Sequence, residues 1–248
     1  MKNQEMLFVE HLGELRKRIL ITLGAFLLFF CAGFYYVEEI YNWLVRDLDH
    51  KLAILGPSDI LWIYFVISGV AALAFTIPVA AHQTWMFVKP ALGKREQRIT
   101  LSYIPALFLL FLSGLSFGYF IVYPMVLQFL MKLSEGHFEV FFTSEKYFSF
   151  VLNLTLPFGF LFEIPLIVMF LTSIGIINPE MLKKSRKIAY FGLILVSITI
   201  TPPDFVSDFL VTIPLLLLYE VSISISRIMY KKKHRNQHLK AVETEKAS

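Results

Sequence analysis

Glu10-His-Leu-Gly-Glu-Leu-Arg-Lys-Arg18 runs directly into Ile19-Leu-Ile-Thr-Leu-Gly-Ala-Phe-Leu-Leu-Phe-Phe-Cys-Ala-Gly-Phe-Tyr-Tyr-Val37. A compact charged helix thus ends where a long apolar run begins, which holds its charges against a membrane surface. At ~1.5 Å per residue the run covers most of a hydrocarbon core of ~30 Å. It has no small-x-small cleavage site, and the bulky Phe30 before Cys31 argues against lipoprotein processing, so it reads as a retained span.

Working outward, the same pattern recurs. The 248 residues are 56% hydrophobic, with 25 Phe and only 17% charged, far from the balance of a soluble globular domain. No run alternates with the two-residue period of a barrel strand, so the expected fold class is an all-α integral membrane protein. Six transmembrane helices are expected: Ile19 to Val37, most of Ile60 to Val88, part of Ile99 to Met131, Phe148 to Ile177, Ile188 to Thr201, and Phe205 to Ile228. The segment from Ile40 to Asp59 reads as a helix lying in the interface. Residues 1–231 are expected to form one transmembrane domain, and 232–248 a polar, basic, disordered cytoplasmic tail.

Several spans carry irregularities. The run from Ile99 to Met131 is too long for one perpendicular crossing, so it tilts or bends, and Gly114 with Gly118 offers a face that a second helix can approach closely. Pro157 and Pro165 flank Glu163 and together predict a bent fourth span. The fifth span offers only about 24 Å of apolar helix, which predicts a locally thinned bilayer beside spans five and six.

The cations fix an orientation. Lys2, Arg16, Lys17 and Arg18 precede the first span, and Lys89, Lys94, Arg95 and Arg98 lie in the second connection. Lys183, Lys184, Arg186 and Lys187 lie in the fourth, and seven more follow from Arg227 onward. The opposite side has Arg46, Lys51, Lys132 and Lys146. The positive-inside rule then places both termini in the cytoplasm.

Three groups of polar residues are candidates for function. Glu14 and Glu96 are carboxylates set among Arg16, Lys17, Arg18, Lys94, Arg95 and Arg98. They either pair internally, as Glu14 with Arg18 at i, i+4, or receive a cationic peptide through bidentate guanidinium bonds. Glu163 is an acid inside an otherwise uncharged span, which costs several kcal/mol unless paired, hydrated or protonated. It is either a hydrogen-bonded structural acid or a functional polar site. Asp204 is placed to cap the sixth span, with Asp208 one turn on and Glu220 near its other end. His82 reads as a packed or interfacial histidine, since nothing sits at metal-ligand spacing around it. No nucleophile motif, phosphate loop, dinucleotide fingerprint or metal cluster is present, so neither an enzyme nor a cofactor or metal site is expected, nor a nucleic-acid partner.

Four segments, in order, resemble the TatC family, the membrane receptor subunit of the twin-arginine protein translocase. They are His11 to Arg18; Phe87-Val-Lys-Pro-Ala-Leu92 with Glu96 after it; Phe158 to Pro165; and Thr201-Pro-Pro-Asp204 followed by Leu218-Tyr219-Glu220. The resemblance implies a concave, glove-like bundle of six helices in the bacterial cytoplasmic membrane. It implies a receptor that binds Arg-Arg signal peptides of folded precursors and recruits small single-span TatA- and TatB-type subunits for export, driven by the proton motive force, within a homo-oligomeric receptor complex. Carried over by position, Glu14 and Glu96 receive the arginine pair, with Phe87, Arg16 and Arg18 in the same patch. Glu163 faces the signal peptide's apolar part or a partner helix, and Asp204, Asp208, Tyr219 and Glu220 lie where partners dock. Many relatives carry an amide at the position of Asp208, which leaves its role open.

Size bears on mechanism independently of family. A folded 100-residue cargo has a radius of gyration near 13 Å and is ~30 Å or more across. Six helices of about 10 Å diameter do not surround it. The competing reading is a proton-coupled small-solute carrier using Glu163, although no inverted repeat supports it; a scaffold for another complex is a third.

Overall fold

The computed structural model describes residues 2–46, 52–89, 97, 101, 103–134, 141–201 and 204–247, with 2–11 and 232–247 by backbone alone. The described residues are nearly all helical. The helices are α1 Lys2–Tyr35, α2 Val37–Val45, α3 Pro57–Val88, α4 Tyr103–Phe117, α5 Tyr123–Ser134, α6 Ser144–Leu161, α7 Ile164–Ile174, α8 Pro179–Lys184, α9 Arg186–Ile200 and α10 Phe205–Ala247.

Five stretches are long and apolar enough to cross a membrane: Leu12–Tyr35, Pro57–Val88, Tyr103–Ser134, Ser144–Ile174 and Phe205–Lys231. The sixth apolar helix, α9, has 15 residues, about 22 Å at ~1.5 Å per residue. The mismatch expected at spans five and six therefore rests on α9 alone, because the apolar stretch of α10 has 27 residues.

The chain forms two compact units, one of residues 1–112 with 134–152 and one of 113–133 with 153–248. In the first, α1 packs along α3, with Phe30 stacked on Phe65 at 5.8 Å and Phe29 against Phe75. The charged segment Glu10–Arg18 and the first span are one continuous helix, so the charges stand on a rigid extension of the membrane span. The interfacial segment resolves into α2, whose Tyr41 stacks on Phe148, and a short stretch whose Ala53 pairs with Phe142 and Ser144 through main-chain bonds of 3.2 and 2.7 Å. Val37, Ile63, Ile67, Phe111 and Phe148 are buried in this unit.

In the second unit, α4 and α6 cross at glycines, as the Gly114/Gly118 spacing predicts. A Cβ on Gly118 would stand 2.7 Å from Thr155 Cα, and one on Gly114 would meet Gly159 Cα at 2.9 Å, so any larger residue separates the helices. The long third span is helical from Tyr103 to Ser134. It widens: Tyr123 N–H bonds Gly118 O, five residues back, giving a π turn over Gly118–Val122 just before Pro124.

The expected bend of the fourth span is present, but the two prolines contribute differently. Pro157 sits inside the unbroken α6. Helix α6 stops at Leu161, four residues before Pro165, whose ring opposes that carbonyl and which has no N–H to give. Glu163 occupies the break, its N–H on Phe160 O at 3.1 Å and its C=O accepting from Leu166 and Ile167 at 3.0 Å each. Gly175, with φ 88°, ends α7 in the left-handed region that favours glycine.

Candidate functional site

The first candidate surface is the α1–α3 pair. One side of α1 and one side of α3 enclose a groove of about 540 Å³ lined largely by Leu15, Ile19, Leu23, Phe26, Leu73, Ile77 and Phe87, with Arg18, Gln83 and Thr84 toward one end. Arg18 is the hub of that end. Its Nη2 donates to Glu14 Oε1 at 2.8 Å, and its Nη1 donates to Gln83 Oε1 at 3.1 Å and Met86 Sδ at 3.2 Å. The internal pair that the i, i+4 spacing allows is therefore formed. Glu14 remains 37% exposed, and its Oε2 has no partner among the described residues, so the carboxylate is only half committed. Phe87 is half-buried, while Arg16 and Lys17 are exposed. Glu96 lies outside the described residues, as do Lys94, Arg95 and Arg98.

The helix end beside this groove is elaborated on its other side. Trp85 Nε1–H donates to Gln97 O at 3.2 Å, Gln97 Nε2 donates to Lys89 O at 3.1 Å, and Lys89 Nζ stands 5.0 Å from the Trp85 ring centroid. His82 packs its ring against Trp85 at 5.8 Å, the first of the two roles expected for it.

A second cluster lies where α8 and α9 meet α10. Glu220 accepts from Arg186 Nη2 at 2.7 Å and from Tyr190 OH at 2.5 Å, and Tyr219 OH donates to Leu182 O at 2.8 Å. Tyr219 is buried, with its ring edge-on to Tyr190, so it packs inward; Glu220 is 37% exposed. Arg186 and Tyr190 were not singled out as Glu220 partners in the sequence. They stand 34 and 30 residues from it, and helical periodicity within α10 carries no signal at that range.

At the opposite end of α10, Asp204 caps the helix as expected, its Oδ1 accepting Ser207 N–H at 2.7 Å. Asp208 binds back to α9: its carboxylate accepts the Thr201 hydroxyl, and its main-chain oxygen accepts Ser197 Oγ at 3.2 Å. The four residues assigned to docking thus divide into a cap, two α9–α10 ties and one inward ring. The outward ridge of α10 is apolar, with Phe205, Phe209, Ile213, Leu217 and Val221 exposed at intervals of one helical turn.

Glu163 is 8% exposed, and its Oε1 is buried without a hydrogen-bond partner among the described residues. Phe162, beside it, stacks obliquely on Phe117 at 5.4 Å. A carboxyl oxygen left unpaired among aromatic and aliphatic groups carries a desolvation cost of several kcal/mol, which a partner from outside the chain would relieve. Among the described residues no cluster of His, Cys, Asp and Glu is arranged to hold a metal ion.

Comparison with known proteins identifies the family. A family model described as Sec-independent protein translocase protein (TatC) matches residues 10–214. The chain is 60% identical over 237 residues to the Sec-independent protein translocase protein TatCd of Bacillus subtilis, covering 96% of this chain and 98% of that one. It is 42% identical over 240 residues to TatCy of the same organism, covering 95% and 94%. A crystal structure of the twin-arginine translocase receptor TatC superposes with a TM-score of 0.77 at 34% identity, covering 88% of this chain and 99% of that one. With its multiple membrane spans and this similarity along nearly its whole length, the chain belongs to the TatC family, a family of protein translocase components and not of catalysts.

Proposed function

We propose that this protein is the signal-peptide receptor of a twin-arginine translocase. Glu14 and Glu96 accept the guanidinium groups of an Arg-Arg signal peptide at the cytoplasmic face, beside Phe87, Arg16 and Arg18. The observation that carries this reading is the half-committed carboxylate of Glu14, on a rigid extension of a membrane span. Its bond to Arg18 is a half-buried i, i+4 pair, and pairs at that spacing are worth a few tenths of a kcal/mol. A bidentate guanidinium from a ligand is a stronger partner than that pair, so exchange is favourable.

The orientation follows from the lysine and arginine distribution, which puts both termini in the cytoplasm of a bacterial inner membrane. The apolar ridge of α10 and the short α9 form the face for single-span TatA- and TatB-type helices, with Glu163 as a polar contact for an entering helix. One chain is too small to enclose a folded cargo, so these partners, further receptor copies and a bilayer thinned beside α9 supply the passage, energised by the proton motive force.

The reading is tested by titrating membranes containing the protein with an Arg-Arg signal peptide and its Lys-Lys counterpart. Glu14→Gln and Glu96→Gln should each weaken Arg-Arg binding tenfold or more, while the Lys-Lys peptide binds weakly throughout. Equal binding of both peptides to the unaltered protein would contradict it.

A further inference from the structure

We propose that the groove between α1 and α3 holds one acyl chain of an anionic phospholipid, drawn from the leaflet on the Arg18 side, with its phosphate set at Arg16 and Arg18. The two helices run antiparallel: Arg18 meets Gln83 near one end, and Gly33 lies against Ser68 toward the other. A Cβ on Gly33 would stand 3.2 Å from Ser68 O, so the backbones touch there. Toward Arg18 the same pair leaves a groove of about 540 Å³. Its α1 wall is turned to the bilayer, since Ile19 and Leu23 are 57% and 51% exposed. Among the described residues, none in the most apolar window of α1 is buried within the protein.

The dimensions select a chain rather than a helix as the occupant. The lining runs from Leu15 to Phe26 on α1 and from Leu73 to Phe87 on α3, which is about 16 and 21 Å at ~1.5 Å per residue. One leaflet offers ~15 Å of hydrocarbon, and ~20 Å with its headgroup region. A helix about 10 Å wide and 16 Å long fills ~1,250 Å³, more than twice the groove. The threonines agree with an apolar occupant. Thr22 and Thr84 turn their hydroxyls back onto Arg18 O at 3.0 Å and Ala80 O at 2.8 Å, which leaves their methyls for the groove. Thr76 is the exception, its Oγ1 buried without a partner among the described residues.

Charge selects the headgroup. Arg18 is the one charged residue among those lining the groove, and it stands at the end where the apolar run of α1 begins. Arg16 is exposed and lies about 60° around α1 from Ile19 at ~100° per residue, so a second cation flanks the same opening. From Glu14 to Arg18 there are three cations and one anion, so the pair formed by Glu14 with Arg18 leaves this end positive. A basic pocket between two spans, opening at headgroup depth, suits a phosphate.

The test places the full chain in vesicles of phosphatidylglycerol and phosphatidylcholine in equal parts, one of the two carrying a photoactivatable group on its acyl chain, and maps the adducts by mass spectrometry. The phosphatidylglycerol probe should label the groove-lining segments of α1 and α3 about fivefold more than the phosphatidylcholine probe. Arg16→Gln should bring the two close to parity, a loss of about fivefold for one cation at the membrane surface. Ala80→Phe fills the groove from α3 and should cut the labelling fivefold or more. Ile19→Trp fills it from an exposed position on α1, away from the packed interface, and should do the same. Equal labelling of the unaltered protein by both probes, or labelling unchanged in both filling variants, would overturn the proposal. A helix of a second copy seated on the groove through the Thr76 hydroxyl would give few adducts from either probe and more after Thr76→Val, and that result would overturn it as well.

Discussion

Arg18 Nη2 lies 2.8 Å from Glu14 Oε1 while Nη1 of the same guanidinium reaches Gln83 Oε1 at 3.1 Å, so one side chain ties the charged start of the first span to the far end of the second. The bond to Glu14 is the shorter and charge-assisted one, but as a local i, i+4 pair with a 37% exposed carboxylate its net contribution is small. Arg18→Gln should therefore change Arg-Arg peptide affinity less than about threefold, since it removes a competitor worth tenths of a kcal/mol. Glu14→Gln should weaken it tenfold or more. Equal losses in a peptide titration would show that Arg18 itself carries the contact.

The glycine crossing of α4 and α6 predicts a sharp contrast among glycine substitutions. Gly118→Ala places a methyl 2.7 Å from Thr155 Cα, and overpacking of this kind costs about 1–3 kcal/mol. Gly114→Leu should prevent accumulation in the membrane. Gly192→Ala, with nothing within 4 Å of its added carbon, should be neutral or stabilising by up to about 1 kcal/mol. Thermal unfolding in detergent, read by tryptophan fluorescence, checks all three; equal melting of Gly118→Ala and Gly192→Ala would remove the crossing from the account.

Glu220 joins Arg186 and Tyr190 at the end of α9, so the two bonds should be measurably coupled. A double-mutant cycle of Glu220→Gln and Tyr190→Phe should give an interaction of about 0.5–1.5 kcal/mol in unfolding free energy. A coupling of zero would mean that the hydroxyl finds another partner.

The short α9 predicts that length, rather than sequence, matters there. Inserting four apolar residues after Leu195 brings the helix to about 28 Å, close to a ~30 Å core. Membrane insertion and signal-peptide binding should persist while export of a folded reporter falls at least tenfold. Undiminished export would separate bilayer thinning from transport.

These placements divide into what apolar runs encode and what they do not. Span existence is legible because ~20 uncharged residues admit one solution in a bilayer. The Gly114/Gly118 face and the Asp204 cap were legible for a similar reason, each being a local rule with a fixed spacing. The different fates of Pro157 and Pro165 were not, because whether a proline breaks a membrane helix depends on how the freed carbonyl is met. Nor were the Arg186–Glu220–Tyr190 and Trp85–Gln97 contacts, which join residues 34, 30 and 12 positions apart through side chains that share no periodic pattern. Glu14 was legible as a candidate, and its bond to Arg18 was one of the two readings its spacing allowed.

The most direct measurement of the central claim is photocrosslinking in native membranes between an Arg-Arg signal peptide carrying the probe beside its arginines and the receptor. The account predicts strong adducts with the unaltered protein and their loss in the Glu14→Arg, Glu96→Arg double variant, which still inserts at normal abundance. Undiminished crosslinking to that variant would contradict it.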